Sequence, residues 1–373
     1  MDRTSERVAN SCPACYNDVG CSRSCMKPAR KRSYLRYCLM MKPHANARYA
    51  ASLQKLALAE LQCILDAWGF FTKAFWMDIA GVSFLVFETD DLPQDAWKML
   101  SRHSTVCFAA SMEGDTLRPV RLERDDYLPS DLAEVLKYKG KTNVDFTAMM
   151  LHCALAASDF SRADEPLVVL DPVCGRGTSL FCAAREGYHA VGADIDERAI
   201  AEADTYFSRY VKYHKMKHQR EIFSVTLPRR KQAREVRFTF ANSPETYRQS
   251  KGRTLRLLAG DTRSVDSMLG EKSCHVMIGD LPYGVQHAPK KGKDIDSFQG
   301  LLPQAMAAYQ RVLKDGGTIA LSFNTYTLHR RAMEETMEKA GFTVLVQPPY
   351  HDFSHWVEQA VNRDFVVARK EKH

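Results

Sequence analysis

Apolar residues recur along the chain with two different periods, and the order of these periods predicts two folded regions. In residues 34–126, short apolar runs alternate with two segments of helical spacing, of which residues 50–67 form the longer. The resulting order β-α-β-β-α-β predicts a small α+β, ferredoxin-like domain. In residues 127–373, strands and helices alternate again, with helices expected at 132–136 and 146–157, which predicts an α/β domain.

A glycine-rich turn lies between a strand and a helix early in the second region. Residues 167–179 read LVVLDPVCGRGTS, so an apolar run ends in an acid and then turns. Glycine lets the backbone approach a ligand closely, and a helix N-terminus offers unpaired N–H groups. The pattern is typical of a nucleotide-type pocket, although its spacing differs from the G-x-G-x-x-G and phosphate-loop patterns. The residues expected to line this pocket are Asp171, Pro172, Cys174, Gly175, Gly177 and Thr178.

Three later apolar runs also lead into acidic residues. Residues 191–196 (VGADID) reach Asp194 and Asp196 about twenty residues after the turn, where an acid can bind the ribose hydroxyls of an adenosine-bearing cofactor. Asp194 is the preferred candidate, and Asp196 is expected to face solvent. Asp261 follows the apolar run 255–259, and Asp280 lies in VMIGDLPYG at 276–284. Upstream, YKGKTNVDFTAM at 138–149 occupies the place of a segment that covers a cofactor.

In this order, the motifs resemble those of S-adenosylmethionine-dependent methyltransferases that modify an exocyclic amine. The combination of DPxCGxGT with DLPYG is most similar to the THUMP-associated tRNA guanine-N2 methyltransferases, over roughly residues 138–370. The resemblance implies a class I methyltransferase fold, with a Rossmann-like seven-stranded sheet whose last strand is antiparallel. It implies S-adenosylmethionine as the cofactor, with Asp194 and Ile195 at its ribose and Asp261 at its adenine amine. It places Thr142, Phe146 and Thr147 at the methionine end.

The same resemblance assigns the chemistry to the DLPY motif. An exocyclic base amine is a poor nucleophile because its lone pair is delocalised into the ring, so a carboxylate that accepts its hydrogen bond favours attack. Asp280 would be that carboxylate, the carbonyl of Leu281 would accept the second amine hydrogen, Pro282 would stiffen the turn, and Tyr283 would stack on a flipped base. Leucine at 281 departs from the more widespread proline and favours guanine over adenine.

Residues 1–33 form a polar, basic segment with a cluster of cysteines. Cys12, Cys15, Cys21 and Cys25 have the spacing C-x2-C-x5-C-x3-C, and four thiolates so spaced can hold a tetrahedral zinc ion. The span resembles a zinc knuckle, which binds single-stranded nucleic acid. The alternative is a tail that holds no metal.

Residues 209–256 are rich in arginine and lysine with interleaved aromatic residues, and are interpreted as a basic insertion in the second domain. Such a composition suits a nucleic-acid groove, and the alternative is a solvated, partly ordered insertion. The net charge of +7 agrees with a polyanionic partner.

The favoured partner is RNA, above all tRNA. In the related tRNA enzymes a THUMP domain usually follows the ferredoxin-like domain, but here the catalytic motifs begin too soon for a full one. The mode of RNA capture therefore stays open. The alternatives are a methyltransferase for guanine-N2 or adenine-N6 in ribosomal RNA or DNA, and a non-catalytic RNA-binding adaptor. No apolar run approaches the roughly 20 residues of a membrane span, so we expect a cytoplasmic protein without membrane contact. The need for a helper subunit is left open.

Overall fold

The computed structural model describes residues 35–372 apart from residues 45–46, 71, 139, 227–231 and 283–297. The N-terminal part is an antiparallel sheet of five strands in the order β2-β3-β1-β4-β5, with two helices. Its elements are β1 (Leu35–Met41), α1 (Ala47–Ala67), β2 (Phe75–Ile79), β3 (Val82–Thr89), α2 (Gln94–Arg102), β4 (Val106–Glu113) and β5 (Thr116–Val120).

The two helices cover one face of this sheet because apolar residues alternate along its central strands. Leu39 of β1 and Phe87 of β3 are buried against Leu61 of α1. Four strands therefore follow the predicted β-α-β-β-α-β order, and β5 adds a fifth strand beside β4.

The second part is a mixed sheet of ten strands. Its first half comprises α3 (Val144–Ala157), β6 (Val168–Asp171), α4 (Thr178–Arg185), β7 (His189–Asp194), α5 (Glu197–Tyr213), β8 (Lys217–Thr226), β9 (Gln232–Ala241), α6 (Pro244–Arg248) and β10 (Arg253–Ala259). Its second half comprises α7 (Val265–Leu269), β11 (Cys274–Asp280), α8 (Phe298–Val312), β12 (Leu313–Asn324), α9 (Arg330–Lys339), β13 (Thr343–Val344), β14 (His355–Glu358) and β15 (Val361–Arg369).

Five central strands are parallel, in the order β10-β7-β6-β11-β12, and β15 lies antiparallel between β12 and β13. Both faces of this sheet are buried. Leu180 of α4 and Phe207 of α5 belong to one apolar cluster, and Tyr309 of α8 and Met333 of α9 belong to another. The carboxyl ends of the parallel strands therefore meet at one edge, where ligands bind in open α/β sheets.

The strand count differs from the seven expected because the basic segment is part of the sheet. Strands β8 and β9 pair antiparallel as a hairpin, β9 also pairs with β10, and β14 pairs with β15. Alternating burial along β8 keeps one side of the strand half-buried while the other is exposed. The basic segment therefore contains regular strands, and its interpretation as an insertion stays a prediction. A second correction is that residues 132–136 form turns instead of a helix, with Leu132 and Glu134 each bonded three residues back.

A buried polar cluster joins α1 of the first part to α3 and α4 of the second. The Nδ1 atom of His152 lies 2.7 Å from the Glu60 carboxylate, and its Nε2 atom lies 3.0 Å from the Glu186 carboxylate. Arg185 also pairs with Glu186 over 3.0 Å. All four side chains are buried. Apolar residues around the cluster, among them Leu53 and Leu56 of α1, pack in the same core as α3.

Among the described helices, none is both long and apolar enough to cross a membrane.

Candidate active site

The turn after β6 is organised by Asp171, the last residue of that strand. The N–H of Val173 donates to its Oδ1 atom over 2.9 Å, and the Ser179 hydroxyl donates to its Oδ2 atom. Gly177 precedes α4 with a φ of 86°, and a Cβ atom there would lie 3.2 Å from the ring of Phe181. Both the backbone conformation and the ring therefore require glycine at this position.

Asp194, the last residue of β7, ties the neighbouring strand to the same turn. The N–H of Gly175 donates to its Oδ2 atom over 2.7 Å, and the N–H of Asp196 donates to its Oδ1 atom over 2.8 Å. A Cβ atom placed on Gly175 would meet no other atom within 4 Å. The turn is thus open above Gly175, directly beside the Asp194 carboxylate.

The acids at this edge influence one another. Burial, together with the nearby carboxylates of Asp194 and Asp280, raises the pKa of Asp171 to about 7. Burial also raises the pKa of Asp194, although the N–H groups of Asp196 and Gly175 lower it. Clustered, partly desolvated carboxylates of this kind favour a cationic ligand between them. Burial raises the pKa of the Cys174 thiol well above its usual value, which rules against a thiolate nucleophile there.

Asp280 ends β11 at the same edge and is held from three directions. The Thr142 hydroxyl donates to its Oδ2 atom over 2.6 Å, and the Ser322 hydroxyl donates to its Oδ1 atom. The Nη2 atom of Arg363 lies 3.5 Å from Oδ2. Asp280 and Ser322 are direct partners in the parallel pairing of β11 with β12, which explains their contact.

The rest of the DLPY motif extends beyond the strand. Leu281 is buried, and its N–H donates to the carbonyl of Ser322 over 2.9 Å. Pro282 is exposed at the edge. Tyr283, the expected stacking residue, lies outside the described residues.

The segment before α3 contacts the glycine turn. The hydroxyls of Tyr138 and Thr178 share a hydrogen bond of 2.9 Å, and the guanidinium of Arg176 lies 4.6 Å from the centre of the Tyr138 ring. Asn143 caps α3 by accepting from the N–H of Phe146. Thr142, the residue before this cap, is thereby placed against Asp280.

Phe146 and Thr147, the other two residues expected at the cofactor, lie behind Thr142. Phe146 is buried, with its ring centre 5.9 Å from that of Phe365 and 4.9 Å from that of His355. Thr147 is buried, and its hydroxyl donates to the carbonyl of Asn143 in the preceding turn of the helix. In this arrangement neither side chain presents surface to a ligand.

Two further predicted contacts lie beside Asp194. Ile195 is 65% exposed, which is unusual for isoleucine and leaves an apolar surface at the strand end. Asp261 follows β10, and its carboxylate is paired with Arg263 over 2.6 Å. The N–H of Gly260 donates to the carbonyl of Asp194 over 2.9 Å, so the ends of β7 and β10 are joined directly. Pro172 is buried within the turn.

Sequence reasoning missed Ser322 and Arg363, which also contact Asp280. Ser322 lies near the carboxyl end of β12, two residues before its last residue, so the rule that strand ends carry function could have pointed to it. Arg363 lies on β15, next to Asn324 of β12 in the antiparallel pairing, and no local motif marks it.

The four N-terminal cysteines proposed as zinc ligands lie outside the described residues. Within the described ranges, no group of three or more histidine, cysteine, aspartate or glutamate side chains could hold a metal ion. The zinc site stays a prediction.

No family model and no curated protein matches the chain. Solved structures with a similar fold include TrmN from Thermus thermophilus, at 15% identity and a TM-score of 0.39, over 80% of this chain and 60% of that one. An rRNA methylase from Streptococcus thermophilus is 14% identical, with a TM-score of 0.34, over 63% of this chain and 100% of that one. Magnesium protoporphyrin IX methyltransferase from Synechocystis, a structure with bound S-adenosylmethionine, is 14% identical, with a TM-score of 0.36, over 62% of this chain and 87% of that one. These scores are too low to carry an argument about function.

Proposed function

We propose that this chain is an S-adenosylmethionine-dependent methyltransferase that acts on an exocyclic base amine in RNA, with guanine-N2 of tRNA as the favoured target. One observation carries the proposal. The Asp280 carboxylate, held by Thr142 and Ser322, lies at the sheet edge where the glycine turn joins Asp171 to Asp194. This edge combines a nucleotide-type pocket with a fixed hydrogen-bond acceptor.

The residues at the edge fit the cofactor. Asp194 lies beside the open space above Gly175 and would bind the ribose hydroxyls, and the exposed Ile195 would cover an apolar part of the adenosine. The clustered carboxylates of Asp171 and Asp194 suit a ligand with cationic groups. When bound, S-adenosylmethionine supplies a methyl group activated by its sulfonium charge. Asp261 would contribute to adenine recognition once the adenine amine replaces Arg263 as the partner of its carboxylate.

Asp280 would act on the acceptor amine. Its carboxylate accepts one N–H of the amine, which orients the nitrogen lone pair towards the methyl carbon. The N–C bond would form as the C–S bond of the sulfonium breaks, leaving a neutral thioether, and the adjacent carboxylate would stabilise the positive charge that develops on the nitrogen. The excess N–H proton then passes to Asp280 and on to water. The carbonyl of Leu281 would accept the second N–H, and Pro282, exposed beside it, would border the base.

An RNA partner is supported by charge and by architecture. The net charge is +7, and the β8–β9 hairpin carries the exposed Lys217 and Arg234 at one edge of the ten-stranded sheet. The strand order of the N-terminal sheet, β2-β3-β1-β4 with both helices on one face, supports a ferredoxin-like unit extended by β5. Structured RNA suits such a unit better than DNA, for which a sequence-reading domain would be expected. Guanine is favoured by leucine at position 281.

Methyl transfer from labelled S-adenosylmethionine tests the proposal. Total tRNA, ribosomal RNA and DNA are offered separately, and the labelled nucleoside is identified after digestion. We expect N2-methylguanosine from tRNA, with loss of label in Asp280→Ala but unchanged cofactor binding. Asp115→Ala, a change at an exposed carboxylate between β4 and β5, is the matched control.

Other outcomes separate the parts of the proposal. Label in N6-methyladenine would overturn the guanine assignment, and label only in ribosomal RNA or DNA would overturn the tRNA assignment. Absence of label with cofactor bound would favour the adaptor or a missing helper subunit. Loss of both transfer and cofactor binding in Asp280→Ala would contradict the role given to this residue.

A further inference from the structure

Arg363 is a nearly buried arginine at the base of the candidate active site. Its residue exposure is 7%, its Nη2 atom lies 3.5 Å from Asp280, and its guanidinium lies 5.0 Å from the centre of the Phe146 ring. Burial of a guanidinium is costly unless charged and polar partners satisfy it. One carboxylate that Arg363 meets is that of Asp280, to which we assign the amine contact.

The geometry around Asp280 separates the two carboxylate oxygens. Ser322 of β12 donates to Oδ1. Thr142, in the segment before α3, and Arg363, on β15, both approach Oδ2. Contacts from three different elements fix the rotation of the carboxylate about its Cβ–Cγ bond. A single hydroxyl would leave that rotation free.

We propose that Arg363 is a positioning residue for the methyl-transfer reaction, an inference that rests on the proposed function. It holds the Asp280 carboxylate in one orientation, so that the remaining lone pairs point to the incoming amine. The stacking of Arg363 over Phe146 fixes the guanidinium in turn. Phe146 therefore contributes through Arg363 while its own side chain stays buried.

The test compares Arg363→Met and Arg363→Lys with the wild type in single-substrate kinetics. A misplaced catalytic group costs up to about 100-fold in rate, so we expect kcat of Arg363→Met to fall by about 10- to 100-fold. The KM for RNA and the Kd for the cofactor should stay within about twofold, because Arg363 touches neither. Arg363→Lys keeps the charge and should recover part of kcat. Arg331→Met is the control, because the Arg331 side chain is 89% exposed and pairs along its own helix with Glu335.

The inference is overturned if Arg363→Met retains full kcat, if KM and Kd change as much as kcat, or if Arg363→Lys is no better than Arg363→Met. A second measurement does not depend on turnover. Unfolding of Asp280→Asn, Arg363→Met and the double variant should show that the two changes are not additive, because each removes a partner of the same contact. Additive effects on the free energy of unfolding would refute the contact between Arg363 and Asp280. Absence of methyl transfer by the wild type would, by itself, refute only the proposed function, and the unfolding measurement would still test the contact.

Discussion

The buried cluster around His152 makes a strong prediction about stability. Burial alone would lower the pKa of His152, but the carboxylates of Glu186 and Glu60 outweigh it and raise the pKa from 6.5 to about 9. Burial raises the pKa values of both carboxyl groups, but His152 outweighs it at Glu186, and His103 together with His152 outweighs it at Glu60, so both pKa values are lowered. The folded state therefore contains an imidazolium between two carboxylates, at the junction of α1 with α3 and α4.

The magnitude follows from the two pKa values of His152. A rise from 6.5 to about 9 corresponds to about 3 kcal/mol of stabilisation, because each tenfold change in proton affinity is worth about 1.4 kcal/mol. The contribution is complete below the unfolded pKa of 6.5 and is lost as the pH rises towards 9. The two carboxylates behave in the opposite way, since their contribution is present above their usual pKa of 4.5 and is lost as the pH falls below it. The cluster is thus most stabilising between about pH 5 and pH 6.5.

Urea unfolding of the wild type and of His152→Gln, at about pH 6 and about pH 9.5, measures this contribution. Loss of the cation leaves two buried carboxylates with weaker compensation, so at about pH 6 we expect a cost of about 3–5 kcal/mol. At about pH 9.5 the cost should be smaller by about 3 kcal/mol, because the wild type has then lost the charge itself. His351→Gln, at an exposed histidine, should show no such difference. An equal cost of His152→Gln at both pH values would refute the charged state of His152.

Three further predictions concern the pocket and the N-terminal segment. Asp194→Ala should weaken cofactor binding about tenfold or more in calorimetry, through loss of a charge-assisted hydrogen bond, and an unchanged Kd would move the ribose contact elsewhere. Gly192→Ala should destabilise the fold by about 1–3 kcal/mol in urea unfolding, because a Cβ there would lie 2.4 Å from Leu180 and 2.7 Å from the sulfur of Cys174. An unchanged free energy of unfolding would show that the turn and Leu180 move to accommodate the added methyl group. Cys12→Ser with Cys15→Ser should lower the zinc content found by elemental analysis, and absence of zinc from the wild type would remove the knuckle hypothesis.

The parts of the site that sequence could predict are those defined by local patterns. Asp171, Asp194 and Asp280 each end an apolar run, and the ends of parallel strands meet at one edge whatever the details of packing. Helix α4 was predictable because the glycine turn precedes an apolar segment. These features depend on residues within one strand, turn and helix.

The parts that sequence missed depend on long-range pairing. Arg363 reaches Asp280 only because β15 inserts antiparallel beside β12, more than 80 residues from the DLPY motif by the numbering. The β8–β9 hairpin was missed because its outer strand, β8, is rich in polar residues, and its few apolar residues, Ile222 among them, are only partly buried. The alternation of apolar and polar residues that marks a strand is therefore weak in its sequence. Its basic residues suggested a nucleic-acid groove or a solvated insertion, whereas Arg220 is paired with Asp204 and Arg237 with Glu235.

The setting of Asp280 is therefore a property of strand register as much as of its motif. Ser322 faces Asp280 because β11 and β12 pair at these positions, and Asn324 lies opposite Arg363 two residues further along β12. A shift of either pairing by one residue would turn Ser322 or Arg363 to the opposite face of the sheet and remove its contact with the carboxylate. The DLPY motif would then keep its sequence but lose a fixed acceptor. In this chain the orientation of the Asp280 carboxylate thus depends on Ser322 of β12 and Arg363 of β15 as well as on the motif itself.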